Sequence, residues 1–166
     1  SSAASDVYKR QLVGFGWWGR TIASRLKENS LFELVCVVEP NLEAHEDIKE
    51  MGLMPISDFS QAVNMENVKA LILTSPNDFH DSQIAECVAQ GKHVFCEKPL
   101  SLTFEGARNS VRVCEEAGLV LGIGHERRFE PAVMKIKSLL DEGAFGNIMH
   151  AELAFSHDKL IHLPAG

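Results

Sequence analysis

The sequence has no long hydrophobic run. Its apolar stretches are strand-sized, too short to span a bilayer. Basic residues are in deficit: Lys and Arg total 16 against 23 Asp and Glu, a formal net charge of -7. No Lys/Arg stripe forms, so the electrostatic footprint of a nucleic-acid binder is missing. Paired cysteines are also lacking. Cys36, Cys87, Cys96 and Cys114 never fall at C-x-x-C spacing, which argues against a zinc knuckle. Each sits in an apolar run, as buried thiols of a reducing compartment do. The histidines are scattered and no H-E-x-x-H occurs, so no protein-bound metal is expected. What remains is the composition of a globular protein, 45% hydrophobic and 23% charged. A chain of 166 residues suffices for one domain and the start of a second.

Both ends read as irregular. Lys9, Arg10 and Gln11 occupy the place of a central parallel strand, which should be nearly all apolar because it is buried on both faces. Asp6-Val7-Tyr8-Lys9-Arg10-Gln11 resembles the translation of a transposon-end adapter used in sequencing libraries. Residues 1–11 are therefore expected to be foreign to the natural protein; the alternative is an ordinary polar tail. The chain stops at Leu163-Pro164-Ala165-Gly166 with no element closing it, as an internal fragment would. A cytoplasmic location is expected, although an export signal lost with a natural start would change that.

From Leu12 onward, strand-like and helix-like segments alternate, which predicts an α/β fold with a doubly wound parallel sheet. Helices are predicted over 17–29, 42–51, 78–90, up to Ala117 from a cap at Ser101 or Thr103, and 131–142. A further short helix is capped by Ser57 or Asp58. Strands are predicted over 34–38, 53–56, 68–74, 93–96 and 119–124. In the 131–142 helix, Val133, Ile136, Leu139 and Leu140 are expected to point inward. Residues 147–155 read as the first strand of a second domain. The expected organisation is 12–125 for a dinucleotide-binding domain and 126–166 for the incomplete start of a second α/β domain.

Gly14-Phe15-Gly16-Trp17-Trp18-Gly19 is a G-x-G-x-x-G turn between a strand and a helix. Its glycines permit the tight turn, the close approach of a pyrophosphate and the close packing of helix on strand. Helix amides then face the phosphates. Glu39 ends the second strand, twenty residues after Gly19. An acid there accepts hydrogen bonds from adenosine ribose hydroxyls and repels a 2′-phosphate, favouring NAD over NADP. Two more segments follow strands at the same carboxyl edge: Thr74-Ser75-Pro76-Asn77 with His80, and Glu97-Lys98-Pro99. A partly desolvated Lys98 could exchange a proton with a substrate hydroxyl. Spacing alone leaves open a plain helix-entry loop for the first segment and an exposed lysine on a turn for the second.

Together with Leu100-Ser101-Leu102-Thr103 and Arg127-Arg128-Phe129-Glu130-Pro131, these motifs resemble the glucose–fructose oxidoreductase/inositol dehydrogenase/MocA family from Leu12 to about Phe155. The resemblance implies a Rossmann domain followed by an α/β domain with a large open sheet. It also implies NAD or NADP as cofactor, a sugar, inositol or related polyol as substrate, and assembly as homodimers or homotetramers. Lys98 would hydrogen-bond the reacting hydroxyl, and Glu97 would line the nicotinamide ribose. The Lys98–Pro99 bond would be cis. Ser75, Pro76 and Asn77 would lie along the cofactor, with His80 bracing that loop, and His125 and Arg128 would lie near the nicotinamide. For His80 and His125, a packed core histidine is the alternative reading.

The family's Asp-x-x-x-His proton-acceptor pair is matched in spacing by Asp158 and His162. That match comes too early and lacks a glycine-rich lead-in, so the chain is expected to lack turnover. A glycosidase that recycles NAD on the same scaffold, and a non-enzymatic NAD-binding regulator, are the two alternatives.

Overall fold

The computed structural model describes residues 8–154 and 156. It divides into two compact units, between His125 and Glu126. Among its described residues the first unit holds six strands: β1 (Tyr8–Val13), β2 (Phe32–Val38), β3 (Met54–Ile56), β4 (Ala70–Leu73), β5 (His93–Cys96) and β6 (Leu121–Ile123). Between them run α1 (Trp17–Lys27), α2 (His45–Glu50), α3 (Phe59–Val63), α4 (His80–Ala89) and α5 (Phe104–Glu116). The strands lie in the order β3-β2-β1-β4-β5-β6, and every pairing is parallel. The chain winds outward from β1 in one direction and from β4 in the other. A crevice therefore opens between β1 and β4 at their carboxyl ends.

Helices cover both faces, so the sheet has two cores. One joins Leu12, Phe15, Ala23, Leu34, Val37 and Ile48. The other joins Val13, Val38, Leu71, Leu73, Ile84 and Cys114, among others. A bulge lets β2 serve both. Arg10 pairs with Leu34 but Gln11 with Cys36, so Val35 is the extra residue and the alternation of faces shifts past it. Leu34 and Val37 consequently meet the same core. Asp58 caps α3 through the Ser60 amide, and Thr103 caps α5 through the Gly106 amide, which settles both capping alternatives.

The polar run at Lys9–Gln11 lies within β1. Lys9 and Arg10 are only half-buried, and the Arg10 guanidinium lies 5.2 Å from the centroid of the Phe32 ring. Long basic side chains tolerate this by laying their stems on apolar surface. Gln11 is fully buried. Its Nε2 reaches the Met65 sulfur at 2.9 Å, and its Oε1 has no hydrogen-bond partner. An unmet buried acceptor costs about 1–3 kcal/mol. Gln11→Leu conserves volume and removes that acceptor, so it is expected to stabilise the chain by about 1–2 kcal/mol. Thermal unfolding checks this: a melting temperature raised by several degrees is expected, and one unchanged or lowered would show that the carboxamide is satisfied.

The second unit contains a short 3₁₀ turn, Glu126–Phe129, and α6 (Pro131–Asp141). Two expectations fail here. No residue of α6 is buried, and Val133, Ile136 and Leu140 are all exposed. Residues 147–154 form no strand. A strand exists through its ladder partner, and an apolar helix face is buried only when something packs on it. Among the described residues of this unit neither partner is present. Asp158 and His162 lie outside the described residues.

Candidate functional site

All six strands end on one carboxyl edge, and the residue after each of five of them joins a row. In spatial order these are Glu39 after β2, Gly14 after β1, Thr74 after β4, Glu97 after β5 and Gly124 after β6. Their amides extend the sheet ladder by one rung. Gly14 donates to the Val38 carbonyl at 2.8 Å, Thr74 to Val13 at 2.8 Å and Glu97 to Leu73 at 2.9 Å. Glu39 donates to Ile56 at 2.8 Å and Gly124 to Cys96 at 2.9 Å. Backbone pairing, rather than side-chain packing, thus sets the spacing of the row.

The glycine turn is built by close approach. Gly14 has φ of 92°, a region that L-residues avoid. A Cβ on Gly14 would lie 2.7 Å from the Thr74 carbonyl oxygen, and one on Gly19 would lie 2.2 Å from the Gly14 carbonyl oxygen. The Thr74 hydroxyl closes the same contact, 2.9 and 2.8 Å from the Val13 and Gly14 carbonyl oxygens. A Cβ on Gly16 would meet nothing within 4 Å. Open space therefore stands above the N-terminus of α1, where no side chain caps the helix and no acid occupies the first turn. The first-turn amides of Trp17, Trp18 and Gly19 have no acceptor within the helix. A pyrophosphate fits this end on size and on charge.

Glu39 is held from two sides. Its Oε2 accepts from the Phe15 amide at 2.8 Å and its Oε1 from the Asn41 amide at 2.9 Å. Both carboxylate oxygens keep a lone pair for a further donor. Phe15 is 2% exposed and belongs to the core, so it offers a ligand almost no surface. Trp17 is exposed, and the buried Trp18 indole nitrogen has no partner. An open groove of about 570 Å³ lies toward β3, lined by Leu42, His45, Met54, Ile56, Gln61 and Met65.

On the other side of Gly14, the start of α4 ties two loops together. His80 is fully buried. Its Nδ1 lies 2.8 Å from the Pro99 carbonyl oxygen and its Nε2 3.1 Å from that of Ser75. His80 is thus a buried histidine that braces both loops. Asp81 accepts from the Ser101 hydroxyl at 2.9 Å, and Gln83 from the Ser75 hydroxyl at 2.5 Å. Glu97 is buried and accepts from the Lys98 amide at 3.2 Å. The Lys98–Pro99 bond is cis.

Lys98 is exposed, not partly desolvated as its position in sequence suggested. Among the described residues of the first unit, no element covers this turn. Pro76 and Asn77 are exposed on the loop after β4, and His125 is exposed after β6. Arg128 is exposed in the second unit. Among the described residues no three or more His, Cys, Asp or Glu side chains gather as a metal site. No helix there is long and apolar enough to cross a membrane.

Sequence reasoning missed Gly124, whose Cβ would lie 2.4 Å from Glu97 Oε1. The gap it leaves admits the Glu97 carboxylate. A glycine directly after a strand was the available signal, as at Gly14. Gln83 and Asp81 were also missed; their polarity on a surface helix carries no signal until the loops they hold are in place.

Residues 9–125 match the family model for Gfo/Idh/MocA oxidoreductases, described as an NAD-binding Rossmann fold. The chain belongs to this family. Within it, the chain is 34% identical over 139 residues to inositol 2-dehydrogenase of Mycolicibacterium smegmatis, covering 81% of this chain and 40% of that protein. It is 31% identical over 139 residues to 2,7-anhydro-N-acetylneuraminate hydratase of Escherichia coli, covering 83% and 37%. Scyllo-inositol dehydrogenase from Lactobacillus casei, solved with NAD(H) and scyllo-inositol bound, superposes with a TM-score of 0.80 at 28% identity. That match covers 86% of this chain and 43% of the enzyme. The chain thus spans about 40% of the length of these family members.

Proposed function

We propose that this chain is the cofactor-binding part of an NAD-dependent dehydrogenase acting on a sugar, an inositol or a related polyol. The observation that carries this reading is the row Glu39, Gly14, Thr74, Glu97 along one sheet edge, with Lys98 beside it. Glu39 would receive the adenosine ribose hydroxyls on its free lone pairs and repel a 2′-phosphate, so NAD is preferred to NADP. The α1 amides would hold the pyrophosphate. Thr74, Ser75, Pro76 and Asn77 would flank the cofactor, and Glu97 would accept from the nicotinamide ribose. When bound, the nicotinamide supplies the hydride chemistry.

Lys98 would hydrogen-bond the substrate hydroxyl through Nζ and stabilise the oxygen as its proton leaves. Covered by substrate, its charge would act in a drier setting than the exposed one seen here. His125 and Arg128 are assigned to the nicotinamide end, and dimers or tetramers are the assembly proposed for the whole protein. A reaction without net redox change is a second reading, favoured by the hydratase relative. Net NADH accumulation by a whole protein carrying this chain, given a polyol, separates the two.

The test of the cofactor reading uses the chain itself. Its two tryptophans are Trp17 and Trp18, both in the glycine turn, so intrinsic fluorescence reports on the site directly. Titration with NAD is expected to change that fluorescence saturably, and NADP is expected to bind more weakly. Glu39→Ala is expected to narrow the NAD-over-NADP ratio by about tenfold. A folded chain that binds neither dinucleotide would refute the reading.

A further inference from the structure

Glu39 is not the only charge placed at the turn that would meet the adenosine ribose. Phe15 carries two charged neighbours. Its amide donates to Glu39 Oε2 at 2.8 Å, and the Arg20 guanidinium lies over its ring, 4.4 Å from the centroid. A carboxylate and a guanidinium therefore sit on opposite ends of one residue of the glycine turn. Arginine's planar fork suits a phosphate monoester better than any other side chain. Left free at this turn, such a group would favour a dinucleotide carrying a 2′-phosphate.

Arg20 is not free. Its Nη1 donates to Asp47 Oδ2 at 2.6 Å, bridging α1 to α2. Both side chains are about half exposed, at 44% and 52%, and pairs so exposed contribute little to stability. The Phe15 ring is already buried in the α1–α2 core through Ile48 and Val37, so the helices do not depend on this pair to stay together. The pair does alter the field at the turn. It neutralises the guanidinium stacked on Phe15 by holding the Asp47 carboxylate against it. The neighbouring charges on α2 do not replace it, because Glu46 is paired with Lys49 at 2.6 Å.

We infer that Asp47 is a second determinant of cofactor choice: by holding Arg20, it keeps the chain from accepting a 2′-phosphorylated dinucleotide. This rests on the dinucleotide reading above and deepens it. Glu39 repels the 2′-phosphate directly, whereas Asp47 withholds the group that would bind it. Glu39 alone would then be an incomplete switch. Removing its charge would relax the preference, and only release of Arg20 would invert it.

The experiment is a fluorescence titration of NAD and of NADP against the whole chain. The proteins are wild type, Glu39→Ser, Glu39→Ser with Asp47→Asn, and that double variant with Arg20→Gln added. Circular dichroism confirms that each is folded. Adding Asp47→Asn to Glu39→Ser is expected to tighten NADP binding by about tenfold, the scale of one charge-assisted phosphate contact. Arg20→Gln is expected to abolish that gain. Glu46→Gln in place of Asp47→Asn removes an equal charge one residue away, and is expected to change NADP affinity by less than about twofold.

The inference is overturned if Asp47→Asn gives no more than Glu46→Gln, or if its gain survives Arg20→Gln. Those outcomes leave NAD binding by the wild type intact. Loss of NAD binding by folded wild type would instead remove the dinucleotide reading, and the role of Asp47 with it.

Discussion

Gly19→Ala is expected to cost the chain its glycine turn and, with it, cofactor binding. The added methyl would lie 2.2 Å from the Gly14 carbonyl oxygen and 3.0 Å from the Thr74 hydroxyl. The first contact is with backbone that no rotamer change can move. Gly14 in turn has nowhere to go, because Thr74 and Ser75 already crowd its own missing Cβ at 2.7 and 2.8 Å. Relief requires α1 to lift off β1, which opens the core around Leu12, Phe15 and Ala23. Overpacking of this kind costs about 1–3 kcal/mol, and the opened core adds to it. A total of about 3 kcal/mol corresponds to a melting temperature lower by about 10 °C. Gly16→Ala is the matched control, since its Cβ would meet nothing within 4 Å. It is expected to leave the melting temperature nearly unchanged while weakening NAD, because the methyl would point into the space offered to the phosphates. Equal melting temperatures for the two variants would refute the packing account.

The second large effect concerns the thiols. All four cysteines are buried. Burial pushes the Cys36 thiol up to about 11, and those of Cys87 and Cys96 up to about 12. Cys114 is raised for the same reason. The thiolate is the nucleophile, so folded Cys36, Cys87 and Cys96 are expected to react with a disulfide reagent at pH 8 about 100- to 1000-fold more slowly than in urea. The same shifts make stability depend on pH. Folded thiols keep protons that the unfolded chain releases above its ordinary thiol range. Their contribution is fully present below about pH 9 and is lost as pH rises toward 11 and 12. Melting temperature is therefore expected to hold from pH 7 to 8.5 and fall steeply above 9, over and above the loss seen with Cys87→Ala. A fast-reacting thiol in the folded chain would contradict this burial.

How much of this was legible beforehand differs from element to element. His93–Cys96 was read with its full bounds, because a short apolar run between a glycine and a charged turn has one interpretation. The edges of other elements were less clear. Residues 42–51 read as one helix but divide into a 3₁₀ turn, Leu42–Ala44, and α2, since periodicity does not separate the two over so few residues. At Lys9–Gln11 polarity is visible in sequence, whereas the route by which a long side chain leaves the core is not.

By itself, the sequence determined the α/β class, the glycine turn and the acid that ends β2. These depend on local physics: the period of apolar residues, the conformational freedom of glycine and the length of a strand. Only the tertiary structure decided which polar groups meet. That Gly124 makes room for Glu97, that His80 joins the Ser75 and Pro99 loops, and that Asp47 holds Arg20 over Phe15 are contacts between residues far apart in the chain. Nothing in their local sequence favours one such partner over another. They are set when backbone pairing brings the strand ends into one row, and the side chains there take the partners that the row supplies.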